Sequence, residues 1–340
     1  MPKVAVVILN WNGIEFLKKF LPSVIENTNP ELAEIIIADN GSQDQSVDWL
    51  RQNWPGLRIV KLDKNYGFAQ GYNLALREIN YPYYLLLNSD VEATPGWLEP
   101  LVEILDSDPS VGACMPKIRS YHDQSSFEYA GAAGGFIDRL GYPFCRGRIL
   151  SYVEKDHGQY DDNRDIFWAS GACIMVRSEL YFSAGGLDPF FFAHMEEIDL
   201  CWRIKNMGSR IKFCHQSQVF HLGGGTLPKS NHKKTYLNFR NNLIIIVKNS
   251  KSADLVRICL ARMFLDFVAG VYFLIKMDPG ETFAVFKAYV SLAGHCRTIA
   301  RSRREVMKKI KPAFHKEIFQ GSIIWNFYIR KKREYNQLGF

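Results

Sequence analysis

The chain predicts an α/β fold built on a parallel sheet buried on both faces. Three observations carry this. Strand and helix patterns alternate through the first 115 residues. The strands are near-continuous apolar runs, without the in–out alternation of a half-exposed sheet. Several of these runs stop at polar side chains, on the edge where open α/β sheets gather ligands.

The first strand covers Val4 to Leu9 and is followed by a helix pattern over Ile14 to Glu26. Glu34 to Ala38 is the second strand. Ser42, Gln43, Asp44 and Gln45 resemble a capping box that opens a helix through Gln52. Leu57 to Leu62 is a short strand and Gly67 to Glu78 a helix. Tyr83 to Leu87 is a fully apolar strand, and Thr94 with Pro95 looks like the cap and first position of the next helix. Val111 to Pro116 is a further strand. Lys117 to Arg164 shows no sustained period and reads as loop and irregular strand. Strand character returns over Ile166 to Arg177, helix over Glu196 to Met207, and Val219-Phe220 leads into His221 and a glycine run. Helical patterns then dominate: Tyr236 to Val247, Leu255 to Ile275, Thr282 to Thr298 and Ile318 to Ile329. Arg257, Arg262, Asp266 and Lys276 interrupt the second of these, so none is expected to cross a membrane, which takes about 20 mostly apolar residues. Two regions follow: an α/β domain over 1–248 and a helical, basic region over 249–340.

Composition narrows the class. An apolar fraction of 47% with 23% charged residues belongs to a folded protein with a sizeable core. Seven scattered cysteines without a Cys-x-x-Cys pair fit reduced thiols and a cytoplasmic setting better than a zinc cage or disulfide framework. The first residues enter a strand directly, without a signal-peptide pattern. The net charge of +7 is concentrated in the last 46 residues, where 12 Lys/Arg face 3 Asp/Glu, leaving the body at −2. That argues against a nucleic-acid partner for the body.

The strand ends carry the chemistry. Asn88 and Asp90 follow Tyr83 to Leu87 one residue apart, and oxygen ligands so spaced suit a hard divalent cation held together with phosphate. Because Thr94 can cap the next helix, Asp90 is free for this role. Asp39 ends the second strand and can accept from a pyrimidine ring N–H or a ribose hydroxyl, although an Asx-turn with Asn40-Gly41 explains it as well. Asn10 and Asn12 end the first strand in the same way. Asn65, Gly67, Gly71 and Asn73 lie at a helix start, where N–H groups favour an anion such as a diphosphate. Glu196, Glu197 and Asp199 crowd another helix start. The helix dipole alone favours acids there by about 0.3–1 kcal/mol each, yet one of them could act as a general base. His221, ahead of three glycines, is an imidazole on a segment that a ligand can approach closely. No Gly-x-Gly-x-x-Gly follows the first strand and no Gly-Lys-Ser/Thr occurs, so dinucleotide and P-loop readings lack their signatures.

In this order the motifs resemble the family-2 glycosyltransferases, and most closely bacterial rhamnosyl- and galactofuranosyl-transferase-like members. The resemblance runs from Val4 to Lys248. It rests on Asn10-Trp11-Asn12, the Asp39 to Asp44 motif, Asn65 to Asn73, Leu87 to Asp90, Ser170-Gly171-Ala172, Gly186-Leu187-Asp188, Glu196 to Arg203, His221 to Thr226 and Tyr236 to Asn242. It implies a GT-A fold: a Rossmann-like, mixed but mostly parallel sheet with a C-terminal helical appendage. Asp39 would recognise the pyrimidine nucleoside of a UDP- or dTDP-linked sugar. Asp90, Asn88 and His221 would hold Mg²⁺ or Mn²⁺, and Glu197 would be the base, with Glu196 and Asp199 beside it. Trp168, Ser170 and Gly171 would contact the donor sugar. Three positions depart from the usual pattern: Asn88 replaces an Asp, Glu197 replaces an Asp, and Thr226 stands where Ser is common.

The implied reaction is inverting transfer to a saccharide. Apolar helices beside Arg301, Arg303, Arg304, Lys308, Lys309 and Arg330 to Arg333 suit an anionic lipid surface, hence a lipid-linked acceptor and a peripheral place on the inner membrane face. A helical cap with a solvated basic face is the alternative. Two other classes stay open: a sugar-phosphate nucleotidyltransferase, although Asn10 to Gly13 is not the Gly-rich basic loop that class requires, and a non-catalytic sugar-nucleotide or polysaccharide-binding module.

Overall fold

Each apolar run of the first 115 residues becomes a strand of one nine-stranded sheet. The computed structural model describes residues 2–223 and 232–340. In chain order the elements are β1 (Val4–Asn10), α1 (Ile14–Glu26), β2 (Ala33–Asp39), α2 (Ser46–Asn53), β3 (Arg58–Lys61), α3 (Gly67–Ala75), β4 (Tyr83–Leu87), β5 (Val91–Ala93) and α4 (Glu99–Ser107). Next come β6 (Val111–Ser120), β7 (Gly135–Asp138), β8 (Pro143–Cys145), β9 (Arg148–Ile149), β10 (Tyr152–Val153), β11 (Arg164–Ile166), β12 (Cys173–Arg177), α5 (Ser178–Ser183), α6 (Glu196–Asn206) and β13 (Arg210–His221). The chain ends with α7 (His232–Asn249), α8 (Ser252–Ile275), α9 (Pro279–Gly294), α10 (Cys296–Lys309), β14 (Ile318–Phe319) and α11 (Ile323–Tyr328).

The sheet runs β11-β13-β6-β12-β4-β1-β2-β3, with β5 added on β13. β1, β2, β3 and β4 are parallel, as are β6 and β13, while β12 runs antiparallel between β4 and β6. Burial on both faces follows from the composition: all five residues of β4 and six of the seven of β1 are buried. Leu17, Leu21 and Val24 of α1 join this core, as do Ala69, Tyr72 and Ala75 of α3 and Leu101, Val102 and Leu105 of α4.

Several local expectations are corrected. Ser42 does not cap α2, which begins at Ser46 without a side-chain cap; Ser42 instead accepts the Asn12 N–H (3.0 Å). Thr94 is no N-cap either. Its hydroxyl donates to the Gln218 carbonyl (2.8 Å), Val91–Ala93 pairs as a strand, and α4 begins only at Glu99. The unpatterned stretch contains β7 to β10, which with β14 form a second sheet in the order β10-β9-β8-β7-β14. Ile318 therefore starts a strand, not a helix, and the C-terminal segment folds back onto the body. Tyr335 and Phe340 pack against Phe136 and Phe144. Finally, α8 has 24 residues and is long and apolar enough to cross a membrane by length and composition alone.

Candidate active site

The carboxyl ends of β1, β2 and β4 lie together because the three strands are in register, with Asn10 opposite Asp39 and Ile8 opposite Leu87. Asn10 Nδ2 donates to Asp39 Oδ1 (3.2 Å), Ser42 Oγ (3.1 Å) and Ser46 Oγ (2.9 Å), while its own Oδ1 is buried without a partner among the described residues. Asp39 also accepts the Ser42 N–H (3.3 Å), so it contributes to its own turn as well as standing at the strand end. Asn12 has left-handed backbone (φ 50°), and its side-chain oxygen accepts from Gln43 and Asp44 N–H groups. Asn12 therefore locks the β1 and β2 loops together.

The Asp90 pole is assembled by β5. This short strand follows Asp90 directly and pairs antiparallel with the end of β13, setting Val91 opposite His221. The Leu222 N–H donates to the Asp90 carbonyl (3.0 Å), and His221 Nε2 lies 3.1 Å from Asp90 Oδ1. On the other side of the ring, Glu128 Oε2 lies 3.4 Å from Nδ1. All three side chains are buried. Burial alone would lower the imidazole pKa, but Glu128 and Asp90 outweigh it and raise it to about 10. The donor set fits a divalent cation that displaces the extra imidazole proton: a carboxylate and an imidazole face each other, with a second carboxylate 3.4 Å from the far ring nitrogen. Asn88 is two residues away, its N–H donating to the Ala172 carbonyl (3.0 Å). Of the His221 to Thr226 motif, Gly224, Gly225 and Thr226 lie outside the described residues. A second group of ligand-type side chains, His232, Asp278 and Glu281, lies where α9 begins.

Glu196 and Glu197 open α6 after three non-glycine residues with positive φ: Phe192 (67°), His194 (67°) and Met195 (75°). L-residues adopt this conformation only at a cost, so surrounding structure must impose it. Asn241 does so from α7, donating to the carbonyls of Phe191 (3.0 Å), Ala193 (2.9 Å) and His194 (2.8 Å); Arg240 adds a bond to Phe190 (3.0 Å). The loop delivers the Glu197 side chain against Gly171, where a Cβ would lie 3.6–3.7 Å from three of its carbons. Both glutamates keep one buried oxygen without a partner among the described residues. Burial raises Glu197 to about 7. Glu196 is raised well above the usual carboxylate range, first by burial and then by the neighbouring Glu197.

Asp199 does not belong to this chemistry. It is wholly buried and held by Arg203 (2.8 Å), Lys248 (2.9 Å) and Asn249 (2.8 Å). Burial opposes its charge, but the Arg203 and Lys248 cations keep its pKa low. Asn73 is likewise occupied: it donates to the Leu187 carbonyl (2.6 Å) and accepts from the Leu187 N–H (3.0 Å) and the Tyr181 hydroxyl (2.7 Å). It pins the Gly186 turn. Trp168 is a core residue, buried across Gly135 with its indole N–H donating to the Phe136 carbonyl (3.0 Å). Ser170 is buried and its hydroxyl accepts the Ala172 N–H (3.2 Å), so its part is to shape the turn that carries Gly171. At α3, Asn65 accepts the Gly67 N–H (2.8 Å), and Phe192 of the α6 loop lies over Gly67. Glu128 was not anticipated. Its only signal is a lone acid beside the small-residue run Ala130 to Gly135, inside the stretch without periodicity.

The glycosyl transferase family 2 model matches residues 5–182, just over half the chain. The chain belongs to glycosyltransferase family 2. This glycosyltransferase is 26% identical over 257 residues to N-acetylglucosaminyl-diphospho-decaprenol L-rhamnosyltransferase of Mycobacterium tuberculosis, covering 68% of this chain and 82% of that one. It is 24% identical over 229 residues to rhamnosyltransferase WbbL of Escherichia coli, covering 64% and 81%. Among solved structures, GalNAc-T7 with UDP, GalNAc and Mn²⁺ superposes with a TM-score of 0.57 at 18% identity, over 74% of this chain and 49% of that one. The mannosyltransferase PcManGT of Pyrobaculum calidifontis, with GDP-Man and Mn²⁺, gives 0.54 at 15% identity over 91% and 86%. The family 2 enzyme thus has the GT-A architecture with added C-terminal helices.

Proposed function

We propose that this enzyme transfers a rhamnose-like or other hexosyl group, with inversion, from a UDP- or dTDP-linked donor to a lipid-linked saccharide in cell-surface polysaccharide synthesis. One observation carries the reading. The sheet edge bearing Asn10 and Asp39 continues through Asn88 to the Asp90–His221 pole, and the Ala172–Gly171 turn joins that pole to Glu197. The unpartnered Asn10 oxygen and the Asp39 carboxylate suit the base and ribose of a nucleoside. Asp90 and His221 would hold the cation, and Glu128 would orient the imidazole. Mg²⁺ or Mn²⁺ bound there supplies charge neutralisation of the departing diphosphate.

The chain's own residues perform the remaining step. Glu197, ionised near neutral pH, takes the proton of the acceptor hydroxyl as that oxygen bonds the anomeric carbon. The bond from that carbon to the diphosphate oxygen breaks, and the electron pair leaves with the nucleoside diphosphate. Attack from the opposite face inverts the centre, and no covalent enzyme intermediate forms. Burial and the neighbouring Glu197 push Glu196 further from its charged form than Glu197, which favours Glu197 as the base. Support for the acceptor class comes from the mycobacterial relative, whose name specifies a decaprenol-linked substrate. We place the reaction on the cytoplasmic face of the membrane.

A panel of sugar nucleotides tests the reading. With Mn²⁺ and a polyprenyl-diphosphate saccharide, one donor releases nucleoside diphosphate together with a new glycoside, and EDTA stops both. Use of a nucleoside triphosphate with a sugar phosphate would instead mean nucleotidyl transfer, and binding without turnover would mean a binding module.

A further inference from the structure

Helix α8 is amphipathic in the reverse sense of a helix that packs into a soluble core. Its buried residues are Ile258, Arg262, Asp266 and Gly270, a single stripe at every fourth position. This inward stripe carries the ion pair. Arg262 and Asp266 lie 3.4 Å apart, and Arg262 also donates to the Leu140 carbonyl (3.2 Å) and to Asn242 Oδ1. Asp266 accepts from the hydroxyls of Tyr142 (2.9 Å) and Tyr289 (2.8 Å), and Thr282 donates to the Gly270 carbonyl (2.9 Å). The outward face is apolar: Leu260, Met263, Phe264, Phe267, Val271, Leu274 and Ile275 are all exposed. Only 22% of the most apolar 18-residue window of α8 is buried. α9 continues the face with Phe283, Phe286 and Val290, and Met277 stands 87% exposed at the turn between the helices.

Neighbouring segments extend this surface and give it a charge. Burial raises the Tyr328 phenol of α11, with Tyr272 of α8 close enough to add to the effect. Trp325, Tyr328 and Ile329 of that segment are exposed, and Arg330, Lys331, Lys332 and Arg333 follow at once. At the other end of α8, Asp254, Arg257 and Ile258 line a cavity together with Pro312 and Phe314, and Phe314 is exposed between Lys311 and Lys316. A contiguous apolar face of this size is rare on a monomer that meets only water. Aromatic side chains with polar tips, flanked by basic runs, match the boundary of an anionic bilayer.

We propose that the α8–α9 face, with α11 beside it, is a membrane-binding surface, and that α8 lies in the plane of an anionic bilayer instead of crossing it. Crossing would strip the Arg262–Asp266 stripe from its partners and leave it in hydrocarbon. Lying flat keeps every one of those bonds and immerses only the outward residues. The proposal deepens the lipid-linked reading of the acceptor by holding the active site at the leaflet, but its test reads binding alone. Failure of one is therefore distinguishable from failure of the other.

Flotation of the full chain with vesicles of phosphatidylethanolamine and phosphatidylglycerol (3:1), in 0.15 M and 0.5 M NaCl, decides it. The wild type floats at both salt concentrations, and binds phosphatidylcholine vesicles at least tenfold less. The surface variant F264E/F267E/F283E stays folded and loses at least tenfold of its binding. Spin labels at Leu260→Cys, Phe267→Cys and Leu274→Cys, with Cys259 and Cys296 changed to Ser, report one shallow depth. Absence of flotation, or undiminished flotation of the variant, overturns the proposal. So does a solution dimer that the variant dissociates, since a second copy then covers the face. A depth maximum at Phe267 means that α8 crosses.

Discussion

At the scale of single residues, the site separates two adjacent glutamates by environment. Glu196 is buried, with its pKa raised well above the usual carboxylate range by burial and by Glu197; Glu197 lies along Gly171 with its pKa raised to about 7. A base must be ionised to act, so kcat/KM should rise about tenfold per pH unit below about 7 and level off above it. The folding sign is the opposite. A carboxyl whose folded pKa exceeds its unfolded value stabilises fully below the unfolded value of 4.5, and that contribution is lost as pH rises through about 7. Glu197→Gln should therefore lower activity by about 10²–10⁴-fold while flattening the loss of stability between pH 5 and 7, seen as a smaller shift in Tm. Glu128 acts through His221. Glu128→Gln should weaken Mn²⁺ binding by about 10–100-fold in calorimetry, without unfolding the chain.

At the scale of elements, the loop before α6 positions Glu197, the proposed base. Its left-handed residues persist because Asn241 satisfies three of its carbonyls, which explains why a polar motif sits on a buried helix face. Asn241→Ala should cost about 1–3 kcal/mol in urea denaturation, and it should lower kcat with little change in donor affinity. How legible each element was depended on how local its cause is. Ile14–Glu26 and Tyr83–Leu87 were read to the residue, because an amphipathic period and a buried apolar run are carried by the segment itself. The caps assigned to Ser42 and Thr94 were wrong because distant partners, Asn12 and Gln218, claim those hydroxyls. β7 to β10 were read only as irregular strand without bounds, because strands of two to four residues carry no period. The strand-end carboxylates were singled out by their chemistry and His221 through the family resemblance, while Glu128 was missed. β5 brings Asp90 to His221, and a loop after β6 brings Glu128; both are set by tertiary pairing. Asp199, Asn73 and Trp168 had the right residue types in the right motifs. Only their neighbours show that they hold the scaffold.

At the scale of the whole molecule, the C-terminal segment is tied into the body. β14 extends the small sheet, Asn242 links α7 to Arg262 of α8, and Asn249 reaches Asp199. The Arg262–Asp266 pair is the strongest of these ties to test. Removing one partner leaves a buried charge uncompensated, so Asp266→Ala should lose about 3–5 kcal/mol in denaturant unfolding. Arg257→Ala, at an exposed position of the same helix, should change stability by less than about 0.5 kcal/mol. Helix α7 touches both α8 and the loop that presents Glu197, with Asn242 bonded to Arg262 of α8 and Asn241 to that loop.

Glu197 is the proposed base of transfer at the Asp90–His221 pole. The most direct measurement compares transfer and donor binding in Glu197→Gln and Glu196→Gln, with Mn²⁺ present throughout. Glu197→Gln should bind nucleotide as the wild type does and lose at least 10²-fold in transfer, while Glu196→Gln keeps most of it. Full transfer by Glu197→Gln, or loss confined to Glu196→Gln, would contradict that role.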